Sequence, residues 1–187
     1  MKIAKSAILA AFAEILQEHD IALADIPNID LYMDQIMSLF NQELQDRKRN
    51  ADDKIMTKTM INNYSKEGLL KPIKGKKYSK DHIILLLFIF ALKQTLSLQD
   101  IKKLITAEKE EMMDGTNYHH AYLAKTYTAY LAGKKEQKEQ LANLQSQILT
   151  EETEQNLLLT VLQYCAVSSY FQKAAQNLID TYANPQE

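Results

Sequence analysis

Apolar residues recur three or four positions apart along most of this chain, the spacing of a helix with one buried side. Ile3, Ile8, Phe12, Ile15 and Leu16 predict a first helix over residues 3–18. "DIPNID" (25–30) then breaks the pattern, with Pro27 interrupting and Asp30 able to cap. Leu31, Ile36, Met37, Leu39, Phe40 and Leu44 predict a second helix over 31–45. A third covers 57–67, capped by Thr57 and stopped by Gly68 and Pro72. Ser79 caps a fourth that runs through Thr95, and Ser97 caps a fifth from Leu98. The fourth contains "IILLLFIFAL" (83–92), apolar on every side, so it should be buried all round. A bilayer crossing takes about 20 such residues, so no membrane span is predicted.

Beyond 105 the pattern predicts helix throughout. Leu123, Tyr127, Tyr130, Lys134, Gln137, Leu141, Leu144 and Ile148 alternate by fours and threes. That is a heptad seam with two polar residues at its middle. A last helix is expected over 151–183, capped by Thr150. The seam needs a facing helix, supplied by a second copy or by the last helix folded back as a hairpin. A homodimer is expected, with its contact on Leu141, Leu144 and Ile148 or on the last helix.

Four Gly and three Pro leave few places to turn a strand, so composition agrees with an all-α fold. Cys165 is the only cysteine. No intramolecular disulfide can form, and a reducing, cytoplasmic location follows. "MKIAKSAILAAFAEIL" has the basic start of a leader, but Glu14 interrupts its apolar run and the helical spacing continues. An amphipathic helix is the reading adopted.

Net charge is −2, and it is unevenly spread. Residues 47–82 hold eleven Lys and Arg against four acids, net +7, while the remainder carries −9. A basic cluster in an acidic chain suits a polyanion, although a solvated charged loop has the same composition. The third helix separates its sides sharply. Met60, Ile61 and Tyr64 lie together, and Thr59, Asn62 and Lys66 lie opposite, flanked by Lys58 and Asn63. Asn can bond adenine through N6 and N7, and Lys can reach phosphate or guanine. The turn-centred "PIKGKKYS" (72–79) adds Lys74, Lys76 and Lys77, and its two arms predict a small β-hairpin.

Thr57, Ile61, Tyr64, Gly68-Leu69-Leu70, Pro72, Tyr78, the apolar helix 82–92 and "LSLQDIKKLI" (96–105) stand in an order that resembles the DNA-binding domain of MerR-type transcription regulators. The resemblance covers residues 56–105, about a quarter of the chain, and suggests an outlying bacterial relative. Family members usually carry Arg where this chain has Asn62 and Lys76. The ten-residue charged stretch "QDRKRNADDK" replaces the family's short turn before the third helix, and about 30 residues precede its first helix.

The resemblance implies a winged helix-turn-helix domain within residues 1–105, with its core at 30–105. It also implies a helical region over 106–187 for dimerisation and effector sensing. The expected function is transcription regulation through double-stranded DNA. Recognition helix 57–67 would read bases and the basic wing 72–79 would hold phosphates. A protein-interaction module and a small-molecule sensor reusing the fold are the alternatives. Tyr118, Tyr122, Tyr164 and Tyr170 either line an effector pocket or pack between helices. His119 and His120 are adjacent, so a helix would point them about 100° apart, away from a shared metal. No nucleophile–base pair or glycine-rich phosphate loop stands out, so neither an enzyme nor a cofactor is expected.

Overall fold

The computed structural model describes residues 1–149 and 152–183. Among them are eight α-helices and three short antiparallel strand pairs, a mostly helical architecture. In chain order these are β1 (Lys2–Ala4), α1 (Lys5–Leu16), β2 (Leu31–Tyr32), α2 (Met33–Glu43), α3 (Lys58–Lys66), β3 (Lys77–Tyr78), α4 (Lys80–Leu92), α5 (Leu98–Ala107), α6 (Lys109–Met112), β4 (Met113–Asp114), β5 (Asn117–Tyr118), α7 (His120–Ile148), β6 (Glu154–Asn156) and α8 (Leu157–Tyr182). No helix among the described residues is long and apolar enough to cross a membrane.

The all-apolar helix α4 takes the central position that its sequence demands. His82 to Leu87, Ile89 and Phe90 are buried. Ile36 and Phe40 of α2, Ile61 and Tyr64 of α3, Ile101 of α5, and Leu123 and Tyr127 of α7 join it in one core. Aromatic edges fix two of these contacts. Phe40 meets Phe90 edge-on at 6.4 Å, and Phe88 meets Tyr127 at 5.8 Å.

Several expected boundaries move because backbone groups pair where side-chain periodicity predicts helix. Residues 31–32 are a strand, Leu31 opposite Tyr78 and Tyr32 opposite Lys77. Helix α2 therefore starts at Met33, and its first turn is capped by Gln35, whose Oε1 accepts from the Tyr32 N–H at 2.8 Å, not by Asp30. The first helix likewise starts late, because Lys2–Ala4 pair with Glu154–Asn156. The region after 105 is not helical throughout. Met113 and Asp114 pair with Tyr118 and Asn117 around Gly115, whose φ of 58° suits a residue without Cβ. The last helix begins at Leu157, where the Asn156 side chain accepts from the Leu159 N–H at 3.1 Å. Thr150, its predicted cap, lies outside the described residues.

The heptad seam is divided three ways. Leu123 and Tyr127 are buried against α4, and the Tyr127 hydroxyl donates to the Ile21 carbonyl at 2.6 Å. Lys134, polar in the middle of the seam, pairs with Asp20 at 2.8 Å, and the same carboxylate meets Arg47. Leu141, Leu144 and Ile148 instead face a cleft shared with α1 and α8. Much of what looked like a surface for a second chain is thus met by segments of this one.

Candidate nucleic-acid interface

Helix α3 is fixed from below and open above. Thr57 Oγ1 accepts from the Met60 N–H at 3.2 Å, capping the first turn. Ile61 and Tyr64 are buried, while Lys58, Thr59, Asn62, Asn63 and Lys66 are all exposed, the division the helical wheel predicts. Gly68, with φ of 76°, ends the helix, and Leu69 and Leu70 return the chain to the core.

The predicted hairpin at 72–79 is reduced to a two-residue turn. Lys74 bridges Lys77 across Gly75 and Lys76, and the Lys77 N–H donates to the Lys74 carbonyl at 3.2 Å. Both central residues have φ of 61°, the sign that a tight I′-type turn requires. Lys77 then pairs with Tyr32, so the turn is tied into β2 instead of standing free. Lys74, Lys76 and Lys77 are exposed, and the Lys77 ammonium lies 5.2 Å from the centroid of the Tyr32 ring.

Two supports for this surface are not obvious from the sequence. The ten-residue charged insertion closes on Asn41. Its Nδ2 donates to the carbonyls of Met37 (2.6 Å) and Met56 (3.1 Å), and its Oδ1 accepts from the Ile55 N–H at 3.0 Å. The long loop therefore ends at a defined point, just before the α3 cap. Arg47, one of the cations in the basic window, is turned inward to Asp20 and the His19 carbonyl.

The second support is Tyr118. Its hydroxyl accepts from the Lys71 N–H at 2.9 Å, and the Lys71 ammonium reaches the Thr116 carbonyl at 2.6 Å. Burial pushes the Tyr118 hydroxyl up to about 12, so it stays protonated. Its ring meets His82 edge-on at 5.0 Å, and His82 meets Tyr78 edge-on at 5.8 Å. The β4–β5 hairpin, the start of α4 and the basic turn are thereby locked together.

Tyr118 is thus a brace and does not share a cavity with the other three predicted effector tyrosines. Tyr122 donates to Glu108 Oε2 at 2.6 Å, Tyr164 sits in the distant α1–α7–α8 cleft, and Tyr170 is exposed. Among the described residues no group of three or more His, Cys, Asp or Glu side chains is placed to hold a metal.

The brace should make stability depend on pH. Burial holds the His82 imidazole below its ordinary value of 6.5, against the opposing pull of the Lys71 backbone, Asp81 and Asp30. Well above pH 6.5 neither folded nor unfolded His82 binds a proton, and its contribution is complete. As pH falls below that, the unfolded chain takes up a proton first, so stability declines. The decline ends once the folded form also protonates. Urea midpoints should therefore drop between pH 7.5 and 5, and His82→Gln should flatten that part of the curve. An unchanged slope in His82→Gln would remove His82 as its source.

Comparison with curated proteins finds no match, and neither does comparison with solved structures. Residues 21–130, more than half of the chain, match the family described as "Domain of unknown function (DUF1836)". That segment contains α2 to α6, the basic turn, both strand pairs that brace it and the start of α7. By that match, the chain belongs to the DUF1836 family.

Proposed function

We propose that this protein is a DNA-binding transcription regulator. In this reading α2 to α5 form a winged helix-turn-helix, α3 enters the major groove, and the turn at 74–77 is the wing. One observation carries it: all eight side chains nominated for DNA contact are exposed, while the apolar side of the same helix is buried. The resemblance to MerR-type regulators over residues 56–105 supports the same assignment. Lys74, Lys76 and Lys77 would hold phosphates, with Lys58 and Lys66 at the groove edges. Thr59, Asn62 and Asn63 would face base edges.

A lone recognition helix covers few base pairs, so the reading includes a homodimer on two half-sites. Its contact is assigned to the outer side of α8, which carries Leu158, Leu159, Leu162 and Tyr170, all exposed.

The test is equilibrium binding of the full chain to fluorescent duplexes, with selection from a random pool. Affinity should fall linearly with the logarithm of salt concentration. Asn62→Ala should relax preference at one or two base pairs, by about 1–3 kcal/mol, and leave the salt slope unchanged. If the wild-type protein binds no duplex at low salt, the reading fails and an acidic protein partner for the basic face takes its place.

A further inference from the structure

The cleft between α1, α7 and α8 is not used by the proposed DNA reading. It offers about 620 Å³ of space, open to solvent along one side and within the range of small-molecule sites. Its walls are Ile8 and Phe12 from α1, Leu144 and Ile148 from α7, and Tyr164 and Val167 from α8, among others. Among the described residues, no Asp, Glu, Lys, Arg or His side chain lines it.

The cleft's polar groups divide clearly. Gln145 Nε2 donates to the Ile8 carbonyl at 3.4 Å, Gln172 Nε2 to the Thr95 carbonyl at 2.8 Å, and Thr160 Oγ1 to the Asn156 carbonyl at 3.1 Å. The Tyr164 hydroxyl is buried and meets no hydrogen-bond partner among the described residues. Its ring leans on Phe12, with centroids 6.0 Å apart. A buried hydroxyl without a partner is costly, and a ligand oxygen beside it would remove that cost.

We propose that this cleft binds one uncharged lipophile of fatty-chain size, with an oxygen at one end that accepts from the Tyr164 hydroxyl. A hydrocarbon chain matches the walls. A carboxylate would enter without a countercharge, so a neutral alcohol, aldehyde or ester is favoured over the acid. A second copy of the chain is the competing occupant. Leu158 and Leu162 lie about 120–180° around α8 from Tyr164 and Val167, so a dimer on that outer side leaves this wall of the cleft open.

The test uses the full chain and the neutral fluorophore N-phenyl-1-naphthylamine, with displacement by 1-decanol, decane and sodium decanoate at pH 8. The expected result is one saturable site per chain, with decanol displacing the probe at least tenfold better than decanoate. Val167→Trp and Ala11→Phe fill the cleft from opposite walls, and each should weaken probe binding at least tenfold. Tyr164→Phe should weaken decanol by roughly three- to tenfold and leave decane unchanged.

Thermal melting identifies any variant that fails to fold. If both filling variants fail, Tyr164→Phe and the alcohol–acid comparison decide the matter alone. Any of these results would overturn the proposal: non-saturable probe binding, equal decanol affinity in Tyr164→Phe, decanoate binding as well as decanol, or probe loss in Leu162→Glu with none in the filling variants. Filling variants that turn a dimer into a monomer would assign the cleft to a second copy instead.

Discussion

Lys74→Ala combined with Lys76→Gly should leave a more stable protein that binds DNA far more weakly. The two effects have separate causes. Lys76 is the one non-glycine residue at positive φ among the described residues, at 61°. That conformation costs an L-residue roughly 1–2 kcal/mol. Glycine removes the cost but loses more chain entropy on folding, roughly 0.5–1 kcal/mol. The net gain expected from Lys76→Gly is about 0.5–1 kcal/mol in urea unfolding. Nothing within 4 Å crowds the neighbouring Gly75, so the turn has no packing contact there to lose.

The DNA effect has the opposite sign. Each phosphate contact contributes about 0.9 to the slope of log affinity against log salt. Removing two should lower that slope by about 1.8. Extrapolated to 0.1 M salt, the loss is on the order of tens-fold, the same for every duplex sequence. Lys77 is left in place because its ammonium lies over the Tyr32 ring and its backbone pairs with β2. Changing it would mix a structural loss of about 0.5–1 kcal/mol into the result. An unchanged affinity would remove the wing from the DNA reading, and a less stable variant would contradict the strain argument.

Periodicity located the helices well where one side of a helix meets the core. Ile61 and Tyr64 on α3 and the all-apolar run on α4 report burial directly, because the side chains themselves carry the energetic reason. Strand pairing at 31–32, 113–118 and 154–156 is carried by backbone N–H and C=O groups, which every residue has, so two- and three-residue strands leave almost no mark on hydropathy. Gly115 was the available hint, since few glycines are present and this one sits at positive φ.

The supports of the site were harder to see for a different reason. Asn41 closes a loop 14 residues away, and Tyr118 reaches Lys71 across 47 residues. Neither spacing is periodic, and both residue types are common on surfaces. The same applies to Asp20, which answers Lys134 from 114 residues earlier. A polar residue within a heptad seam signals that something polar faces it, but sequence spacing does not identify the partner.

The outer side of α8 should hold the protein as a dimer, and breaking it should have the largest effect on DNA binding. Leu158, Leu159, Leu162 and Tyr170 are 69%, 52%, 57% and 71% exposed. With the cleft-facing residues, they make the first turns of α8 apolar on nearly every side, a pattern that belongs to a buried helix. The described residues of this chain cover little of that outer side. Burying one leucine contributes about 1.5–3 kcal/mol, and a two-fold contact counts each residue twice. The expectation thereby moves from Leu141, Leu144 and Ile148, which face the cleft, to the last helix. Light scattering at micromolar concentration should give twice the 21.5 kDa chain mass. Leu158→Glu with Leu162→Glu should give the single-chain mass, because each carboxylate would be buried without a partner at the contact. Duplex affinity should then fall by roughly 10²–10⁴, the avidity lost when two half-sites are no longer joined. The cleft-facing variant Val167→Trp should leave the mass unchanged. A wild-type monomer over a wide concentration range would rule out this contact, and a double variant that stays dimeric would place it elsewhere.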